Sequence, residues 1–124
     1  MQVFSGPDVA FASDGSNVLT LKRAKANIAA ATTDGSVVAA VSGKKLRVLA
    51  AVVMAGGTAT NITFNTKPAG AGTAISMLFA CGANGGAALP FAHGGWFETS
   101  SGEGLSATTG AGSTVGVQVI YVEV

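Results

Sequence analysis

The ten residues Leu46–Ala55 constrain this chain more than any other segment. One alternate set is Leu46, Val48, Ala50, Val52 and Met54, and the other is Arg47, Leu49, Ala51, Val53 and Ala55. Both sets are apolar apart from Arg47, whereas an antiparallel sheet with one wet face places polar residues in one of them. The uncharged stretch Val48–Ala55 is far short of the ~20 residues a membrane-spanning helix needs. The second side of this ribbon must therefore be covered, either by another layer of the chain or by a neighbouring chain. In 124 residues, the size of one domain, we expect the neighbour.

Composition narrows the choice. With 48% apolar residues and a net charge of +1 the chain can support a core, which excludes disorder as its main state. Its 18 glycines follow no three-residue period, which excludes collagen. Met1–Ala12 lack a basic start and a continuous apolar stretch, so no signal peptide is expected, and Cys81 has no second cysteine to bridge. Mean hydropathy of +0.50 without a spanning segment predicts a soluble chain that hides surplus apolar surface by association. Charge is also polarised. The seven basic residues lie at or before Lys67 with Asp8, Asp14 and Asp34, leaving +4, and Glu98, Glu103 and Glu123 leave −3 after it. A folded sheet is expected simply to interleave these solvated charges; the sharper alternative is a subunit with a positive and a negative side that meets neighbours electrostatically.

Strand patterns recur between glycine-bearing breaks. Thr60, Ile62, Phe64 and Thr66 alternate with Asn61, Thr63 and Asn65, and Val115, Val117, Val119 and Tyr121 alternate with Gly116, Gln118, Ile120 and Val122. Ile75, Met77, Phe79 and Cys81 share one phase. Further strands are expected over residues 27–32, 36–41, 46–55, 87–92 and 105–109, with turns at Asp34-Gly35, Gly43-Lys44, Gly56-Gly57, Asn84-Gly85-Gly86, Gly94-Gly95 and Gly102-Glu103-Gly104. About eight short strands without a helical stripe predict an all-β antiparallel β-sandwich, a jelly roll over residues 26–124. Residues 1–25 are expected to form an extended N-terminal arm that ends in Lys22, Arg23 and Lys25.

Catalytic chemistry finds little to work with. His93 is the single histidine, and no Gly-x-Ser-x-Gly elbow accompanies it. Cys81 reads as an inert core thiol, and Glu98 with Glu103 reads as a turn or interface pair rather than a glycosidase dyad. No metal-ligand spacing, dinucleotide fingerprint or P-loop occurs, so no enzyme activity, cofactor or metal is expected. Lys22-Arg23-Ala24-Lys25 is the best basic cluster, but a pI of about 7.9 without interleaved aromatics argues against nucleic acid as the partner.

The segments Leu89-Pro90-Phe91, Gly95-Trp96-Phe97-Glu98-Thr99 and Gly102-Glu103-Gly104-Leu105 are distinctive. With Gly43-Lys44-Lys45-Leu46-Arg47-Val48-Leu49 upstream and Val119–Val124 at the end, they resemble the small capsid decoration (cement, or head-stabilising) proteins of tailed bacteriophages, which have a jelly-roll fold. The likeness spans about residues 34–124 and omits the N-terminal segment; the stretch Thr66–Thr73 is longer than the family's usual connection. The resemblance implies a structural virion protein. It would be made in the host bacterial cytoplasm and bound as a homotrimer to the capsid exterior, where it clamps neighbouring major capsid protein subunits. No membrane or nucleic-acid partner is implied. A receptor- or carbohydrate-binding module of a head or tail fibre is the alternative. The residues expected to meet the shell or a sister subunit are Lys22, Arg23, Lys25, Arg47, Trp96, Phe97, Glu98 and Glu103. Trp96 either plugs an open end of the sandwich or enters such a contact.

The apolar Leu46–Ala55 ribbon makes a first prediction. In sedimentation at micromolar concentration the protein should be larger than one chain, and a stable monomer would count against coverage by sister copies.

Overall fold

The computed structural model describes residues 12–13 and 18–124. Of the N-terminal arm expected over residues 1–25, residues 1–11 and 14–17 lie outside them. The described residues form strands and no helix, so the chain is an all-β antiparallel sandwich, as its sequence patterning predicts. No helix among them is long and apolar enough to cross a membrane.

A short pair, β1 (Ala12–Ser13) with β2 (Val18–Leu19), leads into two sheets. The first sheet orders β3 (Lys22–Ile28), β12 (Val115–Glu123) and β5 (Leu46–Ala55), with β9 (Gly86–Leu89) and β10 (Phe97–Glu98) sharing the far edge of β5. The second orders β4 (Gly35–Val38), β11 (Gly104–Thr109) and β6 (Thr60–Lys67), with β7 (Thr73–Ala74) and β8 (Phe79–Cys81) sharing the far edge of β6. Counting each split edge once leaves four positions per sheet. The pairings are nested: β3 with β12, β4 with β11, β5 with β9 and β10, β6 with β7 and β8, all antiparallel.

The first sheet begins earlier than its sequence suggests. Lys22–Ile28 pairs along its whole length with β12, from Lys22 opposite Tyr121 to Ile28 opposite Val115. Lys22, Arg23 and Lys25 therefore stand on a sheet rather than on an arm, and the strand expected at residues 27–32 is displaced. Ala24, Ala26 and Ile28 face the core while Arg23, Lys25 and Asn27 are exposed. Seven residues of ladder pairing override the helix preference of alanine. After it the chain turns through Ala31 and Asp34, both at positive φ, and the Thr109 hydroxyl pins the turn by donating to Ala29 O at 2.6 Å and accepting from Thr32 N at 3.0 Å.

The central pair β5–β12 holds a bulge. Ile120 lies opposite Ala50 and Tyr121 opposite Val48, so Leu49 has no partner residue. An extra residue reverses the side-chain phase of a strand. Ala51, Val53 and Ala55 face the core beyond the bulge, and Leu46 and Val48 face it before. The two alternate sets read from the sequence are thus exchanged halfway along the strand.

Phe64, wholly buried, anchors the core, stacked on Phe97 at 5.0 Å and edge-on to Phe79 at 6.1 Å. The expected strand through Ile75, Met77, Phe79 and Cys81 is broken. The Ser76 hydroxyl accepts the Phe64 N–H at 2.9 Å in place of a ladder carbonyl, and Met77 turns out to solvent while Phe79 and Cys81 stay buried.

Gly86 must lack a side chain, because a Cβ there would run into the Val53 carbonyl of β5. Gly86→Ala is expected to destabilise the fold by about 3 kcal/mol through overpacking at the β9–β5 pair. Chemical denaturation followed by circular dichroism measures it.

Candidate interaction surface

The two sheets present opposite chemistries to the outside. On the second, the outward residues are polar and bond one another. The Asp34 carboxylate accepts the Gly72 N–H at 2.9 Å, the Asn65 amide at 2.9 Å and the Ser106 hydroxyl at 3.3 Å. The Thr108 hydroxyl accepts from Asn65 Nδ2 at 2.8 Å and from Asp34 N at 3.1 Å. This clasp ties the long β6–β7 connection to the start of β4, and a Cβ on Gly72 would collide with the carboxylate. The Gly72 N–H, ahead of the two side-chain donors, holds the Asp34 pKa below the usual carboxylate range.

The first sheet's outer face is apolar and basic. At its bulged end Leu49 and Val122 are wholly buried beneath Leu19, Leu21, Phe91 and Val124, so the chain itself covers that half. At the other end nothing among the described residues lies over Val52 and Met54, which remain 48% and 54% exposed. Register aligns Asn27, Gly116 and Met54 in one row and Lys25, Gln118 and Val52 in the next. Because Gly116 has no side chain, the face sinks into a trough of about 490 Å³ between Lys25 and Asn27 on one wall and Val52 and Met54 on the other.

The charges around this face divide into engaged and unengaged. Lys22 meets Glu123 at 2.8 Å, and that hydrogen bond and charge raise its pKa. Arg47 Nε donates to Glu98 at 3.0 Å, with Lys45 Nζ 3.9 Å from the same carboxylate. Glu103 accepts from the Thr66 hydroxyl at 2.7 Å. Arg23 and Lys25 are exposed, and no carboxylate among the described residues pairs with them.

A second apolar patch lies where the split edges of the two sheets meet. Met77 is 71% exposed, and Leu78 and Trp96 are about half exposed. Trp96 does not plug the sandwich: its indole N–H donates to Pro90 O at 2.7 Å, which fixes the ring at the rim of a 250 Å³ crevice shared with Met77, Phe79 and Phe97. Phe97 reaches inward to Phe64.

Of the residues expected at a contact, then, Arg23 and Lys25 join one surface and Trp96 another, while Lys22, Arg47, Glu98 and Glu103 are bonded within the chain. Val52 and Met54 were legible in the doubly apolar ribbon. Gly116, Met77 and Leu78 were not, because only the register and the break at Ser76 place them. Cys81 is buried, with its thiol pKa raised by burial, and His93 packs edge-on to Phe91. No group of three or more His, Cys, Asp or Glu able to hold a metal occurs among the described residues. Comparison with protein-family models, curated proteins and solved structures finds no match to this chain.

The Asp34 clasp predicts a pH dependence. Since the folded-state pKa lies below the unfolded one, the clasp contributes in full above about pH 4 and is lost as pH falls through the folded-state value. Thermal unfolding across this range should show the wild type losing more melting temperature on acidification than Asp34→Asn, which has no such proton to take up.

Proposed function

We propose that this protein is a structural component of a virus particle, a jelly-roll sandwich that binds as a homotrimer to the outer surface of a tailed-phage capsid and braces neighbouring shell subunits. The observation that carries the reading is the pair of separate apolar surfaces, Val52 with Met54 on one sheet and Met77, Leu78 and Trp96 at the split edges. A protein that bridges needs two contact surfaces, one for sister copies and one for the shell. Exposed apolar patches of this kind mark interaction sites. The nested strand pairing is that of a long hairpin rolled into two sheets, which supports the jelly-roll reading.

In this reading the split-edge patch joins sister copies. Its apolar side chains lie beside backbone edges that are only partly paired, the kind of surface that a second chain completes. Reinforcement then requires no turnover. Each contact is modest, and repetition over a lattice raises the effective concentration of every further contact. The fibre-module alternative finds less support. A sugar site needs free hydrogen-bonding groups beside its aromatic platform, but the Trp96 N–H donates to Pro90 O and the Ser76 hydroxyl already accepts from Phe64 and donates to Met77 O.

Two measurements test the proposal. Purified protein should saturate emptied heads of the phage that encodes it at a fixed stoichiometry and raise their rupture temperature; absence of saturable binding would refute the shell assignment. The double variant Met77→Ser, Leu78→Ser should weaken the trimer at least about tenfold in sedimentation, since each side chain contributes about 1.5–3 kcal/mol when fully buried. Its circular dichroism should be unchanged, because both side chains already face solvent.

A further inference from the structure

We infer that the trough over Gly116 is a docking site for an extended segment of a different protein that carries carboxylates beside an apolar side chain. Naming that protein as the capsid shell rests on the reading above; the chemistry of the trough does not.

The first support is Gly116 itself. Glycine inside a strand weakens it and marks places where another chain approaches closely. Here the backbone does not demand glycine. Gly116 is not at positive φ, and an added Cβ would meet only Asn27 Oδ1 at 3.5 Å and Met54 O at 3.9 Å, ordinary contacts. What the missing side chain provides is depth, at the second position of the nine-residue strand β12 and beside the exposed Val52 and Met54.

The second support is the mismatch of the walls. Val52 and Met54 offer aliphatic surface. Across the trough stands Lys25, with Arg23 two residues along the same strand face, about 7 Å away. An occupant must bury apolar groups and neutralise two cations spaced like alternate residues of an extended chain. The folded domain of a second copy does not supply the anions from its side chains: the four side-chain carboxylates among the described residues, Asp34, Glu98, Glu103 and Glu123, all have partners within the chain. Nucleic acid fits poorly, since two cations beside an aliphatic wall give neither a phosphate track nor a stacking platform. Carboxylates on a partner polypeptide satisfy both walls.

The test uses the full chain and an immobilised random copolymer of glutamate and tyrosine as the probe, with polylysine and single-stranded DNA as comparisons. The protein should bind the copolymer, not polylysine, and binding should weaken as salt is raised. The double variant Arg23→Glu, Lys25→Glu should lower affinity at least about tenfold. Gly116→Val, which fills the trough with a residue that favours strands, should lower it similarly while keeping or raising the melting temperature. Copolymer binding that both variants leave intact would overturn the proposal, as would DNA binding of equal strength with the same dependence on the variants. Dissociation of the trimer by Gly116→Val would assign the trough to a second copy. A rise in affinity on Asp8→Asn with Asp14→Asn would assign it to the chain's own first residues; either result overturns the proposal. If the copolymer binds as expected but phage heads do not, the shell assignment fails and the trough stands.

Discussion

The pairing of β5 with β12, interrupted by one unpaired leucine, governs the rest of the molecule. These two strands form the middle of the first sheet, and the bulge at Leu49 decides which of their side chains face the core. Without it, one continuous alternate set would face inward, and Leu46 with Val48 would change sides relative to Ala51 and Val53. With it, both ends of a nearly uniform apolar ribbon contribute to one core, and Leu49 is left on the outside. The chain then covers Leu49 with Leu19, Leu21, Phe91 and Val124. The remainder, Val52 and Met54, is uncovered among the described residues and is one of the two apolar surfaces on which the functional reading rests.

Polar clasps fix the loops around this apolar frame. Thr109 pins the turn after β3, Asp34 draws in the β6–β7 connection, and Thr66 bonds both Ser100 N and Glu103 across from the neighbouring turn. Thr99, almost wholly buried, accepts the Leu46 N–H through its hydroxyl. No buried side-chain nitrogen or oxygen among the described residues lacks a partner. Each such bond has a modest net value, but leaving the group unpaired costs more, so the turns are held in one arrangement. The outward face of the second sheet is thereby self-sufficient, in contrast to the first.

That contrast gives the molecule a direction. One sheet offers neighbours an outer face whose polar groups already bond one another. The other offers aliphatic side chains, a groove over Gly116 and two cations, Arg23 and Lys25, that pair with no carboxylate among the described residues. The split edges add an apolar corner held by the Trp96–Pro90 bond. A small domain with two unlike sticky surfaces is suited to joining two different neighbours, and charge complementarity distinguishes them.

Sequence alone determined the class of fold, because period-two alternation and glycine breaks are local properties that any antiparallel pairing must respect. It marked the ribbon Leu46–Ala55 to the residue, and the turns around Asn84, Gly95 and Gly102, where positive φ is required, fall where the glycine and asparagine pattern put them. Tertiary structure decided what locality does not encode. The start of β3 at Lys22 depends on the partner it finds in β12, against the preference of its alanines. The phase reversal at Leu49 depends on how β12 registers with β5. Gly116 becomes a groove only because Met54 and Asn27 are brought to either side of it, residues 62 and 89 positions away along the chain. Long-range register is a sum of many cross-strand contacts, and no single stretch of sequence carries it.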